Sequence, residues 1–342
     1  MKNIILGSTG ISTLKNALGC LPLQRDSTED AVKLIRRAYE AGWTFFDTAR
    51  FYTDSEEKLG LAFEGIREKV FIATKTMCTT TEQFWNQLET SLHNLKTDYI
   101  DLYQFHNPAF CPKPGDGSGL YEAMLEAKAR GKIRHIGITN HRLNVAEEAI
   151  DSGLYETLQF PFCYLSTEKE LNLVKQCKEK NMGFIAMKAL SGGLITNAAA
   201  AYAYINQFDN VLPIWGIQRM SELEEFISFQ KKEPEYSGAI KELVEKDRKE
   251  LCGSFCRGCG YCMPCPQKIE INNCARMSLM LRRAPSASWL NEEWQKKMSL
   301  ITSCIHCNKC SSHCPYNLDT PKLLQENYID YQEVLAGRRS VS

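Results

Sequence analysis

The chain has 342 residues, and Lys+Arg and Asp+Glu both total 41, so its formal net charge is zero. That balance supplies none of the one-signed field that nucleic-acid or anionic-membrane binding uses. No apolar run reaches bilayer-spanning length. The length allows two domains, read here as 1–235 and 236–342. The opening MKNIILGSTG lacks the layout of a secretion signal, and ten of the 15 cysteines fall from Cys252 onward. Reduced thiols point to the cytoplasm.

The predicted elements alternate from the start. The segment IILGSTGIS reads as a hairpin ahead of the first repeat. Short β-branched or aromatic runs then predict strands near 16–20 and over 44–49, 70–75, 99–106, 133–139, 157–160, 183–190 and 211–216. Amphipathic stretches predict helices around 28–41, 56–66, 81–96, 119–130, 142–152, 167–181, 197–207 and 220–231. Eight strand–helix repeats read as an α/β fold, a (β/α)8 TIM barrel. An open doubly wound sheet is the rival, and the lack of G-x-G-x-x-G after the first strand argues against it.

In such barrels the chemistry sits at the C-terminal ends of the strands. Asp47, Lys75 and His106 close three consecutive predicted strands, and Tyr52 follows Asp47 by five residues. Singly, each has another explanation: a helix cap, a solvated cation, a satisfied histidine, a core ring. Together and in register they point to catalysis. Carbonyl reduction by hydride leaves an alkoxide that needs a proton. A tyrosine near its ordinary pKa is a poor donor at neutral pH, and a nearby ammonium lowers that pKa. Lys75 is placed to do so, with Asp47 as its counter-charge. His106 is placed to hydrogen-bond the carbonyl oxygen, and Tyr52 to act as general acid.

With Asp47 and Tyr52 in a D-T-A-x-x-Y context, Lys75 and His106, the chain resembles the aldo-keto reductases. The likeness covers about residues 1–235 and continues through Gly137–Asn140, Gln159, and Pro213 to Glu225. The resemblance implies that Thr139, Asn140 and Gln159 hold a nicotinamide carboxamide, Thr139 standing where the family has Ser. It places Met187, followed by Lys188, where an aromatic ring usually stacks. A polarizable thioether still packs against a ring. It puts Gly216 and Glu222 where family members often carry cations for the extra phosphate of NADP. Arg219 remains as a phosphate partner, and Glu225 lies in the same adenosine-facing segment. Both NADP(H) and NAD(H) therefore stay open. The loop 107–119 is the expected contributor to substrate choice.

Residues 235–250 read as a charged linking helix. Beyond it, Cys304, Cys307, Cys310 and Cys314 follow C-x2-C-x2-C-x3-C with Pro315 next, the spacing by which ferredoxins hold 4Fe-4S cubanes. Cys256, Cys259, Cys262 and Cys265, followed by Pro266, form a second run. In the swapped arrangement, Cys256, Cys259, Cys262 and Cys314 bind one cluster, and Cys304, Cys307, Cys310 and Cys265 the other. Zinc needs only paired C-x2-C ligands, and disulfides suit small secreted domains. Cys252 and Cys274 are spare, Cys252 being a substitute ligand or a packed thiol. His306 and His313 read as surface or outer-shell residues. Two helices are expected between the runs, and the tail after Leu318 is expected to wrap back onto the barrel. The second half resembles the ferredoxin-like, α-rich dicluster domain fused to some bacterial aldo-keto reductases, with CGYCMPCP at Cys259–Pro266.

The leading expectation is an oxidoreductase that reduces a carbonyl or conjugated carbonyl with NAD(P)H and exchanges electrons through two 4Fe-4S clusters. Its partners are a small-molecule substrate and a ferredoxin or similar carrier, with no nucleic acid and no membrane. One alternative is an electron-transfer protein whose barrel only docks a redox partner. In another, the clusters are structural staples.

Overall fold

The computed structural model describes residues 2–251, 255–283 and 286–341; Cys252 lies outside them. Two strands, β1 (Asn3–Ile5) and β2 (Ser12–Leu14), pair antiparallel as the expected hairpin. Eight parallel strands follow: β3 (Ala17–Gly19), β4 (Phe45–Asp47), β5 (Phe71–Thr76), β6 (Ile100–His106), β7 (Ile133–Thr139), β8 (Thr157–Pro161), β9 (Gly183–Met187) and β10 (Val211–Gly216). They close in that order, with β10 pairing β3, into a (β/α)8 barrel.

The helices between strands are α1 (Thr28–Glu40), α2 (Ser55–Ala62), α3 (Thr81–Asn94), α4 (Leu120–Ala129), α5 (Leu143–Ser152), α6 (Glu168–Glu179), α7 (Ala198–Ile205) and α8 (Met220–Lys231). The first shows why they form. Ser27 caps α1 by accepting from Asp30 N, and Ala31, Leu34, Ile35 and Ala38 make the buried stripe. One expected strand is shortened: 183–190 ends at Met187, because Lys188 takes φ +56° and leaves the extended region.

Inside the barrel, strand period two sorts side chains into layers. Ala17, Phe45, Ala73, Leu102, Ile185 and Leu212 form an apolar layer, and Ile4, Leu6 and Ile11 of the hairpin region pack into the same cluster. The polar inward residues are thereby left toward the C-terminal ends of the strands.

Two compact units are distinguished. The first comprises residues 1–189 and 202–236, and the second 190–201 and 237–342. The second unit contains α9 (Gly238–Leu251), α10 (Ile271–Cys274), α11 (Met277–Arg283), α12 (Glu292–Ser299), α13 (Lys309–Ser312) and α14 (Thr320–Leu335). Between the cysteine runs the two expected helices are broken into shorter pieces. The tail after Leu318 forms α14, which belongs to the second unit and builds its core. There Asn327 Oδ1 accepts from Ser278 N at 2.8 Å, its Nδ2 donates to Ala275 O at 3.2 Å, and Arg282 forks onto Asp330. Among the described residues, no helix is long and apolar enough to cross a membrane.

Candidate active site and cysteine centres

Asp47 is the last residue of β4, Lys75 the penultimate residue of β5, and His106 the last of β6. Lys75 is fully buried and Asp47 is 2% exposed. Lys75 Nζ donates to Asp47 Oδ2 at 2.6 Å and to the Thr48 carbonyl at 2.6 Å. Two amides complete the carboxylate shell at longer range. Gln104 Nε2 reaches Oδ1 at 3.4 Å, and Gln159 Nε2 reaches Oδ2 at 3.4 Å. Strands β4 and β8 stand opposite each other in the eight-stranded ring, so the Asp47–Gln159 contact crosses the barrel interior.

Burial pushes the Asp47 carboxyl above its ordinary range, while the Lys75 charge and hydrogen bonds from Lys75, Gln159 and Gln104 oppose that rise. The Lys75 ammonium lies 5.2 Å from the centroid of the Tyr52 ring, and Tyr52 meets His106 edge-on at 5.9 Å. The phenol is pushed up rather than down, first by burial and then by the Asp47 and Cys20 charges. This corrects the expectation that Lys75 lowers it here: burial is the largest cause, and Lys75 Nζ donates to Asp47 and Thr48. Burial, then the Lys75 charge, lowers His106 to about 3, so its ring is neutral at ordinary pH. His106 is 8% exposed, and its Nδ1 is buried without a hydrogen-bond partner among the described residues.

Gln104 escaped the sequence reading. Its Nε2 also donates to Gln159 Oε1 at 3.0 Å, and its Oε1 accepts from Thr139 Oγ1 at 3.1 Å, which makes it the hub of the interior network. The signal was present: Gln104 precedes His106 by two residues on one strand and so shares its face. Gly137 makes room for it, since a Cβ there meets Thr157 Oγ1 at 2.3 Å and Gln104 Cγ at 3.0 Å.

The residues expected at the nicotinamide end are brought together only in part. Thr139 ends β7, Asn140 follows it, and Gln159 is the central residue of β8; all three are buried. Asn140 Nδ2 donates to the Pro108 carbonyl at 2.9 Å, and its Oδ1 accepts the His141 and Arg142 amides at 2.9 and 2.8 Å. An amide nitrogen carries two hydrogens. One on Asn140 and one on Gln159 therefore stay open to an added acceptor, which fits a carboxamide. Met187 packs into the barrel's apolar cluster, and Lys188 is half-buried. Gly216 is exposed at the end of β10 and Glu225 on α8. The Arg219 side chain is 75% exposed and pairs with Glu222 at 2.6 Å. The same Glu222 carboxylate accepts the Gln218 and Arg219 amides at 3.0 Å each, so negative charge already sits at the start of α8.

In the second unit the cysteines gather around two cavities. One is lined by Cys265, Cys304, Cys307 and Cys310. The other is lined by Cys256, Cys259 and Cys314. Cys262 lies on both walls. This is the swapped grouping, with each run lending its last cysteine to the other cavity. Among the described residues, no three His, Cys, Asp or Glu side chains are grouped for a single metal ion. Apolar Ile269, Ile271 and Leu324 line the first cavity, and Leu318 and Leu323 the second. Burial pushes the Cys262 thiol up to about 12, so ionised sulfur there requires a cationic group alongside. Four sulfurs around an apolar hollow fit an iron–sulfur cubane. His306 and His313 are exposed, and Cys274 is a buried thiol.

Residues 3–211 match the Aldo/keto reductase family, and residues 255–319 match a 4Fe-4S dicluster domain. The L-galactose dehydrogenase of Arabidopsis thaliana is 28% identical over 211 residues, 56% of this chain and 66% of that protein. A methylglyoxal reductase of Escherichia coli is 31% identical over 190 residues, 52% of this chain and 63% of that protein. The chain thus spans just under two thirds of the length of these relatives. Among solved structures, the holo form of an aldo-keto reductase from Bacillus halodurans superimposes with a TM-score of 0.64 at 20% identity, covering 74% of this chain and 98% of its own. One from Klebsiella pneumoniae in complex with NADPH gives 0.62 at 22%, covering 74% and 97%. At those identities the superpositions speak for the fold alone. The family match spans more than half of the chain, and the closed barrel agrees with it: the chain belongs to the aldo/keto reductase family and carries a 4Fe-4S dicluster domain after its barrel.

Proposed function

We propose that the protein reduces a carbonyl, or conjugated carbonyl, of a small molecule with NADH or NADPH. In this reading residues 1–235 are the catalytic domain, and residues 236–342 add one-electron chemistry through two 4Fe-4S clusters. The observation that carries it is the Lys75–Asp47 pair, buried in the barrel beside Tyr52 and a neutral His106 with an open Nδ1.

A reduced nicotinamide, when bound, supplies the hydride. Asn140 and Gln159 hold its carboxamide through their remaining amide hydrogens, and Arg219 is the cation available to its adenosine phosphate. Tyr52 gives its hydroxyl proton to the nascent alkoxide. The transfer leaves a phenolate, which the Lys75 ammonium 5.2 Å from the ring centroid would stabilise against the cost of burial. His106, neutral and not otherwise bonded at Nδ1, orients the carbonyl oxygen. Gln104 and Gln159 hold Asp47, and Asp47 holds Lys75. The clusters would be held by Cys256, Cys259, Cys262 and Cys314, and by Cys265, Cys304, Cys307 and Cys310. They supply single electrons, exchanged with a carrier such as a ferredoxin. The intact tetrad favours this enzyme over a barrel that only docks a redox partner.

Two measurements test the reading. Tyr52→Phe in the full chain is expected to lose ~10²–10⁴-fold in anaerobic NAD(P)H-driven carbonyl reduction while keeping cofactor affinity and iron. A loss below about tenfold removes Tyr52 as the acid. Anaerobically prepared protein is expected to hold about eight irons and eight labile sulfides. Zinc with no labile sulfide overturns the cluster half.

A further inference from the structure

Arg276, between α10 and α11, is the feature of the second unit that the cysteine pattern does not explain. Its guanidinium is packed onto Gly258, one of the two residues between Cys256 and Cys259. A Cβ built on Gly258 comes within 2.7 Å of Arg276 Cζ and 3.1 Å of its Nε. Gly258 also sits at φ +63°, so the loop is shaped for glycine twice over. Nη1 donates to the Gly192 carbonyl at 2.9 Å, which ties the segment after β9 to the cysteine loop. Nε is buried and has no partner among the described residues. Burial disfavours the charge on this side chain, and Cys256 and Cys259 favour it.

A guanidinium with a buried, unused N–H beside two cluster ligands has an evident acceptor: sulfur. Hydrogen bonds to the sulfurs and nearby net charge are the means by which a protein sets a cluster's potential. The two centres differ in this respect. The wall of the cavity of Cys256, Cys259 and Cys314 carries one cation, Arg257, whose guanidinium lies over the Phe255 and Tyr316 rings at 4.9 and 4.5 Å, and Arg276 adds a second beside that cavity's cysteine loop, packed on Gly258. The other cavity is likewise lined by one cation among the described residues, Lys309, but it is exposed, so solvent screens its charge.

Resting on the cluster reading above, we propose that Arg276 is a positioning and tuning residue that raises the reduction potential of the cluster held by Cys256, Cys259, Cys262 and Cys314 above that of its neighbour. The added electron makes a cluster more negative, so an adjacent fixed cation favours the reduced form. The split orders the two centres, making this one the site where an electron rests and the other the site it passes through.

The test is an anaerobic, EPR-monitored redox titration of the full-length holoprotein and of Arg276→Gln and Arg276→Lys, with iron and sulfide assayed in each. Arg276→Gln is expected to make one of the two clusters harder to reduce by about tenfold, a 59 mV downward shift for a one-electron couple. The other midpoint stays in place, and Arg276→Lys recovers most of the shift. A change under about twofold in both midpoints, or equal shifts of both, overturns the proposal even though the clusters are present. A parent protein without labile sulfide overturns the cluster reading and this proposal with it. If Arg276→Gln loses a cluster outright, Gly258→Ala is titrated instead, because its methyl displaces the guanidinium while the charge stays on the chain. A downward shift of one midpoint with full iron supports tuning. Unchanged midpoints show that Arg276 only braces the loop and overturn it.

Discussion

Replacing Lys75 by Met tests the centre of the site. Lys75 and Asp47 are 0% and 2% exposed, their contact is 2.6 Å, and Met approximates the lysine stem in volume. Removing one partner of a buried ion pair costs ~3–5 kcal/mol, because the remaining charge is left without compensation. That corresponds to roughly 10²–10⁴-fold in the local opening equilibrium. The remaining donors to Asp47, Gln104 and Gln159, stand at 3.4 Å and are too long to replace the ammonium. Burial already pushes the Asp47 carboxyl above its unfolded value, and losing the cation raises it further. A group with a raised folded pKa stabilises below its unfolded value, and that stability is lost as pH rises through the folded one. The loss in Lys75→Met is therefore expected to be larger at pH 8 than at pH 5.5. The assay is hydrogen exchange of the β5 and β6 amides in the holoprotein, read as opening free energies. The double variant Asp47→Asn/Lys75→Met is expected to recover at least ~2 kcal/mol of the single loss. Additive single and double variants, or a Lys75→Met cost under ~1 kcal/mol with no pH dependence, would refute the buried-pair reasoning.

Three further outcomes are expected. Gln104→Leu leaves Asp47 Oδ1, Gln159 Oε1 and Thr139 Oγ1 short of a partner, and is expected to cost ~2–4 kcal/mol by the same exchange measurement; a loss under ~1 kcal/mol would show that the network is not the support described. His106 falls from an ordinary 6.5 to about 3, so between those values the unfolded chain binds a proton that the native state does not, and stability drops as pH falls. Stepped-pH thermal scans between pH 6 and 5 are expected to show His106→Gln less pH-sensitive than the parent by about 1.4 kcal/mol per unit, and identical slopes would contradict a buried neutral imidazole. Arg219→Ala is expected to weaken NADPH binding more than NADH binding, from a parent preference that Glu222 keeps small; equal losses place Arg219 away from the extra phosphate.

The alternation of strand and helix was legible in the residues because the hydrophobic period changes from two to 3.6 along the chain. All eight barrel strands and the hairpin were found that way, and Asp47, Lys75 and His106 could be assigned to strand ends before any geometry was known. The cysteine spacing likewise marked the two runs, since a C-x2-C turn brings its sulfurs together locally, whereas the approach of Cys265 and Cys314 to the opposite runs depended on the fold. What the sequence left open depended on distant partners. Gln104 became a hub only when β4 and β8 faced each other across a closed ring, and nothing in its neighbours announces a contact with Gln159. The direction of the Tyr52 shift followed from its burial in the folded site beside Asp47 and Cys20. Strand β9 stopped at Met187 because of one backbone angle at Lys188, and the segment after it joined the second unit through Arg276 and Gly192. Local periodicity and spacing are properties of neighbours along the chain, so they could be read from the residues alone. Charge compensation, hydrogen-bond allocation and close approach are properties of neighbours in space, and they emerge when distant segments pack together.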